Sequence, residues 1–161
     1  MIAHPLIEFW LKFIYSNASS FKQVNPKIID LIKNDINSYV GRKFENVCKE
    51  YLQIIKPINF TSIARQWGKF NGEKGKNTYE IDLVAINERN KEILFCECKW
   101  QENVNAEKIL SELKEKAKYV QWQVKNRNEH FCIIAKSFNK KLKKDECLCV
   151  DLEDLEKAFS I

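Results

Sequence analysis

Two apolar stretches, Thr78-Tyr79-Glu80-Ile81-Asp82-Leu83-Val84-Ala85-Ile86 and Glu92-Ile93-Leu94-Phe95-Cys96-Glu97-Cys98-Lys99-Trp100, decide the fold. Both are rich in branched and aromatic residues and are bounded by polar ones, the pattern of buried strands. Alternation along the second puts Glu97 and Lys99 on one face and Cys96, Cys98 and Trp100 on the other. A carboxylate and an ammonium inside an apolar strand are costly to bury without a purpose. Asp82 repeats the anomaly in the first stretch. A two-residue turn at Glu88-Arg89 predicts Asn87 opposite Asn90, Asp82 opposite Phe95 and Glu80 opposite Glu97. Asp82 then becomes a diagonal neighbour of Glu97 on the same face, and a slip of one residue would send it to the other face.

Outward from these strands the periodicity changes. Val40, Phe44, Val47, Cys48, Tyr51 and Ile55 recur at three- and four-residue steps, which predicts an amphipathic helix over 37–55, ended by Pro57. A short helix over 26–36 and an apolar helical segment over 4–15, with Pro5 in its first turn, precede it. Ser62–Trp67 reads as a strand, joined to the next by the basic loop Gly68–Asn77. After the strand pair, Ile109, Leu110, Leu113, Ala117, Val120 and Val124 predict a helix over 105–124. Phe131–Ala135 and Cys147–Val150 read as short strands, and Asp151 as the N-cap of a last helix ending near Phe159. The expectation is an α/β domain: an αβββαβ core over 37–161 with a mixed sheet flanked by helices, and an N-terminal helical extension over 1–36 packed on it.

Length and composition exclude other classes. The chain has 161 residues, 45% hydrophobic and 30% charged, with only four glycines and three prolines. That is a folded domain, neither disordered nor fibrous. No apolar run approaches a membrane span and the N-terminus lacks a signal-peptide layout, so the expected location is the cytoplasm. The net charge of +5 permits a polyanion without demanding one. The six cysteines fall in C-x-C pairs and apolar runs without the C-x-x-C knuckle of zinc sites, so buried, reduced thiols are expected.

Asp82 and Glu97 converging would make an oxygen-donor site suited to Mg²⁺ or Mn²⁺, with Lys99 beside it to help neutralise charge on a reacting phosphate. Asp82 followed by Glu97-Cys98-Lys99 resembles the D…E-x-K signature of the PD-(D/E)XK nuclease superfamily, whose restriction-endonuclease-like core has the element order read above. Glu45, in Gly41-Arg42-Lys43-Phe44-Glu45, sits where such nucleases carry an acid on the first helix. The resemblance implies that Asp82, Glu97 and the backbone carbonyl of Cys98 are metal ligands. It implies too that Lys99 positions the attacking water and that Glu45 touches the metal shell or a second ion.

A closer resemblance covers nearly the whole chain. Pro5-Leu6-Ile7-Glu8-Phe9-Trp10-Leu11-Lys12-Phe13-Ile14-Tyr15, Gly41-x-x-Phe44-Glu45, Glu80-Ile81-Asp82-Leu83-Val84-Ala85 and Glu97-Cys98-Lys99-Trp100 are similar to the C-terminal nuclease-like domain of archaeal-type P-loop ATPases. Members of that family often carry Asp-Pro where this chain has His4-Pro5. The resemblance implies a preceding ATPase and winged-helix module, in the same or another chain. The sequence itself has no Walker A pattern; Gly72-Glu73-Lys74-Gly75-Lys76-Asn77 lacks its spacing and hydroxyl. The chain therefore reads as a piece of such an ATPase or a stand-alone relative. DNA is the implied substrate, with Lys69, Lys74, Lys76, Lys140 and Lys141 as candidate phosphate contacts. Trp67 and Trp100 are either base-stacking or packing residues, with packing favoured. Junction-cleaving relatives suggest a homodimer. The competing expectation is a catalytically inactive nucleic-acid or protein docking module serving an ATPase.

Overall fold

The computed structural model describes residues 4–19, 27–70 and 78–160. The chain divides into two compact units, Met1–Lys43 and Phe44–Ile161. In the first, α1 (Pro5–Phe9) continues through a π-helical turn, Trp10–Ile14, and a 3₁₀ turn, Tyr15–Asn17. Phe13 is its buried anchor, packed against Phe9 and Tyr39 at centroid separations of 4.9 and 5.6 Å. The Tyr39 hydroxyl donates to the Pro5 carbonyl, and Lys43 pairs with Glu8. Where two helices were expected, α2 runs unbroken over Lys27–Ile55. Nothing between Ile36 and Asn37 breaks a helix: both tolerate it, and the nearest proline, Pro26, lies before it.

The second unit is a five-stranded mixed sheet flanked by helices, the α/β class expected. β1 (Ser62–Lys69), β2 (Thr78–Asn87), β3 (Glu92–Lys99), β5 (Asn128–Ala135) and β7 (Leu148–Val150) are arranged in the order β1-β2-β3-β5-β7. The first three pair antiparallel; β5 and β7 add in parallel. The parallel step from β3 to β5 requires a crossover, which α3 (Ala106–Ala117) supplies. The short strands β4 (Val104–Asn105) and β6 (Phe138–Lys140) form a separate parallel pair not foreseen from the sequence. α4 (Leu152–Phe159) closes the chain, with Asp151 in a reciprocal capping box with Asp154.

Each sheet face has its own core. Toward α2, Phe44, Cys48, Tyr51 and Leu52 pack on Leu83, Ala85, Leu94, Cys96, Cys98 and Cys132. Toward α3, Leu113, Ala117 and Val120 pack on Ile81, Val84, Ile93 and Phe95. All six cysteines are free thiols and five are buried, Cys149 being partly exposed. α3 stops at Ala117, well short of the expected Val124. The Arg127 guanidinium takes its last carbonyls, Ala117 at 2.9 Å, along with Val120 and Trp122 in the following turn. That side chain is only 3% exposed. Among the described residues no helix is long and apolar enough to cross a membrane.

Candidate active site

The turn between β2 and β3 sets the register of the acids, and it is longer than expected. Asn87 pairs with Glu92 and Leu83 with Cys96, correcting the predicted pairs of Asn87 with Asn90, Asp82 with Phe95 and Glu80 with Glu97. The cause is local. The Asn87 Oδ1 accepts from the backbone N–H groups of Arg89 and Asn90 (3.1 and 3.2 Å), and Lys91 adopts φ 55°, so the chain needs four residues to reverse. The register moved by two, which keeps parity along the paired residues Leu83–Asn87 but does not reach Asp82, because Ile81 and Val84 both face α3 and the alternation breaks between them.

A bulge on β2 then places Asp82. Ala64 pairs with Val84 but Gln66 pairs with Ile81, so Arg65 opposes both Asp82 and Leu83. The extra residue ends the β2–β3 ladder beyond Leu83 and turns Asp82 toward β3. Its Oδ2 accepts the backbone N–H of Cys98 at 2.8 Å, the residue between Glu97 and Lys99. Glu97 is only 5% exposed and lies on the α3 side with Ile93 and Phe95. Its carboxylate is held by Lys99 Nζ at 2.6 Å and by Lys116 Nζ of α3 at 3.0 and 3.1 Å.

The electrostatics follow from this crowding. Burial, then the neighbouring Glu97 carboxylate, pushes the Asp82 carboxyl up to about 7, with the Cys98 N–H and Lys99 opposing. Burial tends to lower Lys99, but the bond and charge of Glu97 outweigh it and the net direction is upward. Glu45 is raised by burial, with Arg65 pulling the other way.

The expected residues are only partly brought together. Asp82, Glu97, Cys98 and Lys99 share one site. Glu45 is instead bridged to Glu80 by Arg65, at 2.7 and 3.1 Å. Among the described residues, no group of three or more His, Cys, Asp or Glu side chains is placed to hold a metal. The two carboxylates nonetheless suit a hard divalent ion. They are oxygen donors, and a cation would offset the burial, and then the Glu97 charge, that push Asp82 up. Lys141 is taken by Asp151 and Asp154, each at 2.6 Å, while Lys69 and Lys140 are exposed. Lys74 and Lys76 lie outside the described residues. Trp100 packs on Phe44 at 5.1 Å with Lys136 Nζ over its ring, whereas Trp67 is 69% exposed.

Two residues escaped sequence reasoning. Lys116 occupies the apolar stripe of α3, three residues after Leu113 and four before Val120, and that position was the available signal. Arg65 carried none, because its role depends on the bulge. A cavity of about 450 Å³ lies toward the start of β3 and β5, between Leu94, His130, Phe131 and Tyr51. The acids stand at the other, carboxyl end of those strands, where open α/β sheets bind ligands.

The profile of a family described as archaea bacterial proteins of unknown function matches residues 10–120. An uncharacterized protein of Methanocaldococcus jannaschii, MJECL04, is 34% identical over 162 residues, covering 95% of this chain. The chain spans 34% of that relative's length. No solved structure matches.

Proposed function

This chain belongs to the DUF234 family, which is associated with archaeal ATPase C-terminal domains, and from that membership and its paired carboxylates we propose that it is a PD-(D/E)XK-type, Mg²⁺-dependent endonuclease-like domain hydrolysing DNA phosphodiester bonds. The observation that carries the reading is the bulged β2 delivering Asp82 to the Cys98 N–H, beside Glu97 and Lys99. Asp82 and Glu97, with the Cys98 carbonyl, would hold Mg²⁺ or Mn²⁺; when bound, such an ion lowers the pKa of water and neutralises charge on phosphate.

This chain's own residues do the rest. The Cys98 N–H fixes the Asp82 carboxylate in direction. Lys99 and Lys116 pair with the nearly buried Glu97 carboxylate and compensate its burial. The Lys99 ammonium, 2.6 Å from Glu97, is suited to orienting the attacking water and meeting the charge that develops on phosphate. The larger assembly proposed for the chain is an ATPase with a winged-helix module, in the same or another chain, and a homodimer on DNA.

A second reading, a catalytically silent docking module, is favoured by one specific feature. Both Glu97 oxygens are engaged by lysines, and Glu45 by Arg65. The deciding experiment is plasmid nicking, with branched and single-stranded DNA alongside, in Mg²⁺, Mn²⁺ or EDTA. Cleavage lost in Asp82→Asn and Lys99→Ala is expected; DNA binding without cleavage, insensitive to both changes, would establish the docking module instead.

A further inference from the structure

Glu97 holds more positive charge than one carboxylate needs. Lys99, two residues along β3, reaches only Oε1, at 2.6 Å. Lys116, from the last turn of α3, stands 3.0 Å from Oε1 and 3.1 Å from Oε2. Among the described residues it is the one donor on Oε2. A nitrogen nearly equidistant from both oxygens lies in the mid-plane between them, where a cation shared by the two would also lie. The neighbours of Lys116 on its helix stripe, Leu113 and Ala117, are buried, whereas its own side chain is partly exposed. The ammonium thus reaches a nearly buried carboxylate on a flexible four-carbon stem that also touches water.

From these contacts we infer that Lys116 is an exchangeable counter-ion on Glu97: it holds the carboxylate while no metal is bound, and a divalent ion enters by displacing it. The inference rests on the metal part of the proposed function and adds to it the residue that the ion must replace. Mg²⁺ takes carboxylate oxygens at about 2.0–2.1 Å. An ion that close to Oε2 would face an ammonium 3.1 Å from the same oxygen, as like charges with little water to screen them. Charge balance points the same way. With both acids ionised, Asp82 and Glu97 are matched by Lys99 and Lys116. A divalent ion added to all four would leave two uncompensated positive charges; exchange for Lys116 leaves one, which a bound phosphate offsets. Lys99 is the poorer candidate for exchange, because it leaves Oε2 untouched and follows Cys98, whose N–H fixes Asp82. Displacement of Lys116 alone frees Oε2 while Lys99 keeps Oε1. Engagement of both Glu97 oxygens by lysines, the feature that favours a docking module, is then the resting state of a metal site.

The test is a calorimetric Mn²⁺ titration of the full chain at pH 8, paired with lysine acetylation by an N-hydroxysuccinimide ester in EDTA and in saturating Mn²⁺, read by peptide mass spectrometry. Acetylation of Lys116 is expected to be slow in EDTA and faster with the ion bound. Lys116→Met keeps an unbranched stem and sheds the charge. It should bind Mn²⁺ about 10- to 150-fold more tightly, the equivalent of one hydrogen bond to a charged group. Lys116→Arg, whose planar fork suits a carboxylate, should bind no more tightly than wild type. Lys114→Met makes the same charge change two residues away, on a side chain that lies over Phe131, and should hardly move the affinity. Binding that Lys116→Met does not strengthen, or that Lys114→Met strengthens as much, overturns the inference. So does ion binding that leaves Lys116 acetylation unchanged, a result that needs no variant to fold. In those cases the metal reading survives if Asp82→Asn abolishes the binding. If neither wild type nor Lys116→Met takes up Mn²⁺, or if uptake persists in Asp82→Asn, the metal reading itself falls and the inference with it.

Discussion

Replacing Asp82 by Asn should stabilise the metal-free protein at high pH and leave it unchanged at low pH. Asp82 is held at about 7, against an ordinary 3.8, mainly by burial and then by Glu97. A carboxyl whose folded pKa is raised contributes stability that is fully present below the unfolded pKa. That contribution is lost as pH rises through the folded one. The window is therefore about pH 4 to 7. At ~1.36 kcal/mol per pH unit the full span is worth about 4 kcal/mol, an upper figure because a half-buried carboxylate retains some water. The Asn side chain still presents an oxygen to the Cys98 N–H, so the variant keeps the hydrogen bond and sheds the charge. Urea unfolding of both proteins in EDTA at pH 4 and pH 8 reads the difference. Equal midpoints are expected at pH 4, and at pH 8 a variant more stable by about 2–4 kcal/mol, or about 4–16 °C in Tm for a chain of this size. A difference independent of pH, or a variant less stable at pH 8, would refute the reasoning. Millimolar Mg²⁺ or Mn²⁺ should raise the wild-type midpoint at pH 8 and leave that of the variant in place.

Other consequences are equally direct. Lys116→Ala removes one of the two cations on a nearly buried Glu97 and should cost about 1–3 kcal/mol in urea unfolding, with Glu97→Gln in the same background recovering part of it. Arg127→Ala strips the carbonyls at the end of α3 of their donor and should cost about 2–4 kcal/mol, with faster amide exchange over 117–122. Arg65→Ala breaks a largely exposed bridge and should change stability by less than about 1 kcal/mol, while leaving Glu45 and Glu80 uncompensated and thus raising affinity for Mn²⁺ in a calorimetric titration. With one partly exposed thiol and five buried ones, a thiol reagent should modify Cys149 quickly in the native protein and all six cysteines only in denaturant.

Much of the architecture was legible in the chain because it rests on local repeats of hydrophobicity. Alternation located β1, β2 and β3 within a residue or two at most ends, and Asp151 announced α4 as an N-cap does. Length was harder to read than existence. The helix expected to reach Val124 stops at Ala117, where Arg127, just before the next strand, takes its last carbonyl and those of the following turn. Ile36 and Asn37 look like a boundary only if short helices are assumed, and the backbone passes through them.

The sequence by itself determined the element order, the αβββαβ class and the anomaly of Asp82, Glu97 and Lys99 in apolar strands, since each depends on residues close together in the chain. The tertiary structure alone decided the partners of those charges. A single-residue bulge opposite Arg65 and an Asn87-anchored turn set where the Asp82 carboxylate points. The crossover helix then brings Lys116 to Glu97, and Arg65 takes Glu45 away from the expected constellation. Charges act through space over a few ångströms, so a side chain's ionisation and its partners belong to the packed sheet, and no spacing along the chain specifies them.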